Sequence, residues 1–362
     1  AIQKRMTPGI QVLVARKGVI VYQKSFGYHT YENQLPVKNT DLYDVASLTK
    51  ILSTLPNVML QFDKGKLKME TKLSSMLPYL KNSNKKDATL VDMLTHQARF
   101  YPWIGFYKAT LDSLGKPSPN FYRNTRSDDF SIQVSENLFL RKDYNDSIMK
   151  TIRDSELLPK VQYKYSDFAF ILLKEYLERV NDKDLDVLSE NNFYKIIGAN
   201  RMLYNPLRRF SKKEVIPTEV DNYFRYDTIQ GYVHDMAAAM QGGVSGHAGI
   251  FANSLDVAKM MQMFLQYGNY GNNQFITKET FNKFNTCYYC KDENRRGVGF
   301  DKPQLGESGP TCGCVSMTSF GHTGFTGTMA WADPEKEIVY VFLSNRTYPS
   351  ELNKKITQQG FR

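Results

Sequence analysis

Long apolar runs are missing from this chain of 362 residues. The clearest, Phe168–Leu173 and Ile338–Leu343, fall well short of the roughly 18–20 residues of a bilayer-spanning helix, so no transmembrane segment is expected. Cysteine is scarce, at four residues, which excludes a disulfide-built miniprotein. Dense basic blocks are also missing, although 47 Lys and Arg against 37 Asp and Glu give a formal charge of +10. The nearest are Lys81–Lys86, Arg208–Lys213 and Arg295–Arg296, and charge spread this thinly reads as a basic surface with no nucleic-acid partner. Repeats and low-complexity tracts are absent too. What is present is an ordinary globular balance, 41% hydrophobic and 23% charged, which excludes wholesale disorder. The chain starts at Ala1 with no charged-then-apolar leader before its first strand, and reads as a processed product or part of a longer polypeptide.

The length fits two domains or one large fold with an insertion, and the periodicity favours the insertion. Ile10–Ala15, a turn at Arg16-Lys17-Gly18 and Val19–Ser25 predict a hairpin. Leu48, Ile51, Leu52, Leu55, Val58, Met59 and Phe62 then mark one face of a helix of about four turns, with Pro56 expected to kink it. Further helices are predicted at Leu90–Leu94 capped by Thr89, Phe168–Val180 begun by Ser166 and Asp167, Leu185–Ile197 ending at Gly198, and Leu255–Leu265 capped by Ser254. Tyr101–Lys160 is polar and aromatic with weak periodicity, and is expected to be mostly loop. Thr326–Ala332 and Glu337–Ser344 predict a closing hairpin around Asp333-Pro334-Glu335-Lys336. Strands at both ends imply one sheet closed by the two termini. Sheet-bearing regions 1–43 and 246–362 would then flank a mainly helical subdomain, 44–245, in a single α/β module.

Asp44-Val45-Ala46-Ser47-Leu48-Thr49-Lys50 carries the sharpest chemical signal. At i and i+3 on a helix start, Ser47 and Lys50 share a face. A desolvated lysine can lose its charge and take the serine proton, while the helix N-terminus aims the Ser47 N–H at a developing oxyanion. The spacing alone is weak, because it recurs at Ser83/Lys86, Ser113/Lys116 and Ser147/Lys150 in polar stretches. A solvated lysine behind a helix cap would look the same. Two companions strengthen it. Tyr165-Ser166-Asp167 precedes a strongly apolar helix and offers a phenol for proton relay; its bland alternative is a capped helix behind a buried tyrosine. Gly321-His322-Thr323-Gly324 precedes the last hairpin, where glycine lets a ligand lie against a strand; its bland alternative is a tight turn.

In this order, Ser-x-x-Lys, Tyr-x-Asp and His-Thr-Gly resemble the three motifs of serine β-lactamases and penicillin-binding proteins, and the resemblance spans nearly the whole chain. Pro8-Gly9, Leu94-Thr95-His96 and Gly246-His247-Ala248-Gly249-Ile250-Phe251 extend it, and it looks most like the class C-type branch, which also holds esterases and D-amino-acid peptidases. The resemblance implies the serine β-lactamase-like (transpeptidase) fold, an antiparallel sheet flanked by helices, and catalysis without a cofactor. It implies Ser47 as the acylated nucleophile, Lys50 as its base and Tyr165 in the proton traffic. The N–H groups of Ser47 and Phe325 would form the oxyanion hole. Asp167, His322, Thr323 and Gly324 would bind or line the substrate. Two departures stand out: Asp167 replaces a neutral Asn, and His322 replaces the usual Lys, with an ordinary pKa of about 6.5 that leaves it partly charged. Both weaken the hold on a β-lactam carboxylate, so an esterase or D-peptidase acting on a small molecule or a peptidoglycan-derived substrate is expected in place of an efficient β-lactamase. A periplasmic or cell-envelope location goes with that reading. The alternative is a catalytically weak module that binds cell-wall fragments, since the sequence also resembles modules fused behind family 3 glycoside hydrolases.

All four cysteines fall within 28 residues, as Cys287-x-x-Cys290 and Cys312-x-Cys314. A structural tetrathiolate zinc and two disulfides are equally compatible with this spacing. The histidines of Gly231–Asp235 and Gly242–His247 lack the further ligands of a metal site at fixed spacing and are expected to form loops near the cleft. Trp103, Phe106 and Tyr107 either line a substrate mouth or pack a loop.

Overall fold

The computed structural model describes residues 1–32, 34–306 and 309–360. Its centre is a five-stranded antiparallel sheet of β1 (Gly9–Arg16), β2 (Val19–Gly27), β3 (Phe320–Thr323), β4 (Met329–Asp333) and β5 (Ile338–Ser344), in the order β3-β4-β5-β1-β2. The two chain ends meet in it: β1 pairs with β5 from Ile10↔Ser344 to Arg16↔Ile338. The first hairpin turns through Lys17 and Gly18 at φ 52° and 75°, the left-handed pair that suits the twist of a two-residue connection. Alternation along β5 gives the sheet two apolar faces. Val339, Val341 and Leu343 enter the main core, while Phe342 joins Met6, Ile10, Met329, Trp331 and Ile356 on the other side.

Three helices bear on the site or the sheet: α1 (Leu55–Asp63), α2 (Phe168–Asn181) and α3 (Ser254–Leu265). The π-turn Lys50–Thr54 leads directly into α1, and Pro56 explains it. Proline has no N–H for the Leu52 carbonyl and crowds it, so the turn widens, with the Leu55 N–H reaching back to the Lys50 carbonyl. The freed Leu52 carbonyl accepts the Tyr194 hydroxyl at 3.0 Å. Helix α3 lies across β1, β4 and β5. Its Phe264 packs edge-on to Phe300 at 5.2 Å, and Phe300 lies 4.9 Å from Phe320 on β3, which anchors the strand that carries His322.

Two expectations need correction. The cap of α3 is Asn253, one residue before the expected Ser254: Asn253 Oδ1 accepts from the Asp256 N–H at 2.9 Å, while the Ser254 N–H donates to Gln11 Oε1 of β1 at 2.8 Å. Asn253→Ala should therefore cost about 1 kcal/mol, read as a lower denaturant midpoint at unchanged slope. The segment expected to be mostly loop holds a helix at Tyr144–Asp154 and three short strands, Tyr122–Arg123, Ile132–Ser135 and Leu138–Leu140. That helix buries only Ile148 and Ile152, too narrow a stripe to announce itself in the sequence.

Candidate active site

Ser47 sits on the turn between the short strand Tyr43–Asp44 and the helix that continues as α1. Ala46 just before it is held at φ +48°, a conformation that costs an L-residue of order 1–2 kcal/mol. Asp44 holds it there by accepting the Ala46 N–H at 2.8 Å, and the second Asp44 oxygen accepts the His234 N–H at 2.7 Å. Lys50 Nζ reaches Ser47 Oγ at 2.9 Å, and the Tyr165 hydroxyl donates to the same oxygen at 3.1 Å. The three residues that the sequence named for chemistry are in mutual contact.

Thr323 and Gly324 carry the opposite wall. Thr326 donates to the Asp44 carbonyl at 2.8 Å and Thr328 to the Val45 carbonyl at 3.0 Å, so the turn bearing Phe325 is pinned to the backbone bearing Ser47. A Cβ on Gly324 would meet Thr328 Oγ1 at 2.1 Å and the Val45 carbonyl at 2.6 Å, so this approach requires glycine. Among the described residues, the N–H groups of Ser47 and Phe325 have no hydrogen-bond partner.

Electrostatics alter three of the expected roles. Burial works against the charge of Lys50, but the Asp167 carboxylate 2.7 Å away, with Tyr165 adding to it, outweighs burial and raises the Lys50 pKa, so the free site holds an ammonium where a neutral amine was expected. Asp167 thus faces Lys50 and is absent from the cleft wall, where substrate contact was expected. His322 is buried, and burial, with Arg296 adding to it, holds its pKa well below the ordinary range. It is neutral at pH 7, with its Nδ1–H on the Thr323 carbonyl at 2.7 Å. It supplies no positive charge to an anion.

The buried cation on this cleft is Arg296, which sequence reasoning missed. It is 6% exposed, donates from Nη2 to the Tyr163 hydroxyl at 3.0 Å, and leaves Nη1 without a protein acceptor among the described residues. Asp301 is shared between Arg295 at 3.0 Å and Arg296 at 3.5 Å, so one positive charge is left over. Ser47, Tyr163, Tyr165, Arg296, His322, Thr323, Gly324, Phe325 and Arg346 line a cleft of about 320 Å³. A roomier cavity of about 580 Å³ among Lys116, Tyr122 and Tyr226 contains none of the residues singled out for chemistry. His96, given no role in advance, packs its ring 4.5 Å from Tyr165 and accepts the Ser166 N–H at 3.2 Å.

The cysteines form two local disulfides, Cys287–Cys290 and Cys312–Cys314. A sulfur bonded to sulfur offers no thiolate, which removes the tetrathiolate zinc reading. Each closes a loop between residues only 3 or 2 apart. Of the loop histidines, His247 lies between Ser245 and Asp235, each at 2.9 Å, and its carbonyl accepts from Lys50 at 3.3 Å. His234 flanks the Phe325 ring at 5.5 Å. Its Nε2 lies 2.9 Å from Glu219; burial opposes its charge, but Glu219 overcomes that and raises its pKa, so this group, with Glu351 nearby, reads as an ion pair. Phe106 and Tyr107 are buried in the core and Trp103 is exposed, and none of the three lines the cleft.

A family model described as Beta-lactamase matches residues 1–360. The chain belongs to that family. It has the serine β-lactamase-like fold and is a serine hydrolase of the peptidase or esterase type. An Escherichia coli K12 protein, named as a candidate D-alanyl-D-alanine carboxypeptidase, is 29% identical over 367 residues, covering 94% of this chain and 79% of its own. Among solved structures, EstCE1, a hydrolase with promiscuous acyltransferase activity, superposes at a TM-score of 0.68 with 17% identity over 98% of this chain and 95% of its own. A class C beta-lactamase from Rhodobacter sphaeroides gives 0.65 with 15% identity over 99% and 95%. Identities this low speak for the fold alone. Like other serine hydrolases of this family, the chain needs no cofactor for catalysis.

Proposed function

We propose that this β-lactamase-family hydrolase is a carboxypeptidase-type enzyme, cleaving a peptide or related acyl compound whose leaving group ends in a free carboxylate. The observation that carries this reading is Arg296: a buried guanidinium with an unused N–H, in the same cleft as Ser47. A buried cation that shares its only carboxylate among the described residues with a second arginine is costly unless a ligand supplies further counter-charge, and the planar fork suits a carboxylate. The name of the Escherichia coli relative points the same way.

In this reading Ser47 Oγ attacks the scissile carbonyl, the N–H groups of Ser47 and Phe325 receive the oxyanion, and Tyr165 passes a proton to the leaving group. Thr323 and Arg296 hold the leaving-group carboxylate, and water releases the acyl group from Ser47. The disulfides favour an extracytoplasmic setting, the compartment in which peptidoglycan-derived peptides would be met. The contacts of Ser47 with Lys50 and Tyr165 argue against the binding-module alternative, which has no use for an assembled acyl-transfer site.

The test is a matched pair of substrates: a peptide ending in D-alanyl-D-alanine and the same peptide with its terminus amidated. The free acid should be cleaved at least tenfold faster in kcat/KM, with a short-chain ester and a chromogenic cephalosporin run beside them. Equal rates on acid and amide would refute the carboxypeptidase reading.

A further inference from the structure

We propose that Asp167 sets the pH at which Ser47 becomes a nucleophile, by holding on Lys50 a proton that must leave before acyl transfer begins. The proposal rests on the serine acyl-transfer reading above and adds to it the regulation of the same site. Asp167 acts through Lys50, and is in that sense a positioning residue, for charge.

The geometry around Lys50 Nζ is that of an ammonium. Three oxygens surround it: Ser47 Oγ at 2.9 Å and the His247 carbonyl at 3.3 Å accept hydrogen bonds, and Asp167 Oδ1 at 2.7 Å forms an ion pair. An ammonium has three N–H groups to match them, and a neutral amine has two and a lone pair. The lysine side chain is fully buried, 5.0 Å from the Tyr165 ring and 5.5 Å from the Phe170 ring, so bulk water does not stabilise its charge. Tyr165 adds to the pull of Asp167, and the remaining titratable groups facing Lys50 give its charge no support. Burial keeps Tyr165 a neutral phenol and both His96 and His322 neutral imidazoles, while Arg296 is a second cation. Asp167 is the carboxylate in contact with Lys50, and its pull, with that of Tyr165 beside it, outweighs the desolvation of the lysine.

The chemistry then requires a deprotonation first. An ammonium cannot take the Ser47 proton. One N–H bond of Lys50 breaks, with the proton passing to water or hydroxide, and the amine lone pair faces Ser47. As the Oγ–carbon bond forms, that lone pair takes the Oγ proton and the carbonyl electron pair moves onto oxygen. When the bond to the leaving group breaks, the leaving group takes a proton through Tyr165 from Lys50, which is again a neutral amine for deacylation. Each pH unit between the working pH and the Lys50 pKa makes the competent form tenfold rarer. Removing the Asp167 charge leaves burial to dominate, lowers that pKa, and moves activity to lower pH.

The test follows the Ser47 acylation rate with p-nitrophenyl acetate, which has no carboxylate for Arg296, from about pH 5 to pH 10. Asp167→Asn should shift the acid limb of the profile down by at least one unit and raise the neutral-pH rate about tenfold per unit shifted. Asp167→Ala, which also removes the charge, should shift it the same way and serves if the Asn variant does not fold. Asp167→Glu should keep the limb at the wild-type pH whatever its absolute rate. A limb that stays in place without the charge, or that moves equally in the Glu variant, overturns the proposal. Full p-nitrophenol release by Ser47→Ala would instead overturn the underlying serine reading, so the two failures are distinguishable.

Discussion

Ser47→Ala is expected to lower kcat by a factor on the order of 10⁴ to 10⁶ and to end covalent labelling by any acyl-serine probe. Its size follows from what is lost. Lys50 and Tyr165 both aim at Ser47 Oγ, so removing one atom leaves their proton traffic without a destination. What survives is equally informative. The Ser47 N–H is backbone and Arg296 is untouched, so substrate binding should persist within a few-fold of wild type by calorimetry. A variant that binds without turnover places the chemistry on Oγ. A variant that still turns over at the wild-type rate would show that the serine is a bystander.

Arg296→Gln is expected to cost roughly 2–5 kcal/mol on a carboxylate-terminated substrate, a fall of about 30-fold to several thousand-fold in kcat/KM. An ester of similar size without a carboxylate should change by no more than a few-fold. The fold should tolerate the change, because Asp301 keeps its contact with Arg295. A second effect has a definite sign. Burial is the main cause of the low His322 pKa, and the Arg296 charge adds to it. Removing that charge lets the pKa rise, so His322 should protonate more readily as pH falls and partly restore carboxylate binding in acid. In the wild type, with Arg296 always charged, no such recovery is expected. Equal loss on ester and peptide would mean that Arg296 shapes the cleft without reading the substrate.

The readable parts of the sequence were those whose signal is local. Thr89 with Asp92 closes the capping box that the short apolar run at Leu90–Leu94 announced. Lys17-Gly18 and Asp333–Lys336 turned as their residues require, and Ser47, Tyr165 and His322, each singled out by its motif, line one cleft. What stayed hidden depends on partners distant in the chain. Nothing near Asn253 distinguishes it from Ser254 as a cap; the choice is made by Gln11, which claims the Ser254 N–H from 243 residues away. Asp167 reads as a substrate ligand until Lys50 is seen to occupy it. Arg296 follows an identical neighbour, and only Asp301, which Arg295 already holds, shows which of the two has charge to spare. That doublet, followed five residues later by an acid, was the available clue.

The two threonine hydroxyls on the Phe325 turn also bear on synthesis. The serine and the amide opposite it are nearly 280 residues apart in the chain, and Thr326 and Thr328 join them through the Asp44 and Val45 carbonyls. A nascent chain would carry Ser47, Lys50 and Tyr165 long before it carries the turn that completes the oxyanion pair. β1 must also wait for β5 before the sheet can close. Folding dominated by such distant pairings is slow. Under the proposed mechanism, an unfinished polypeptide would hold the nucleophile without the Phe325 amide opposite it, and would gain acyl transfer only when the last strands arrive.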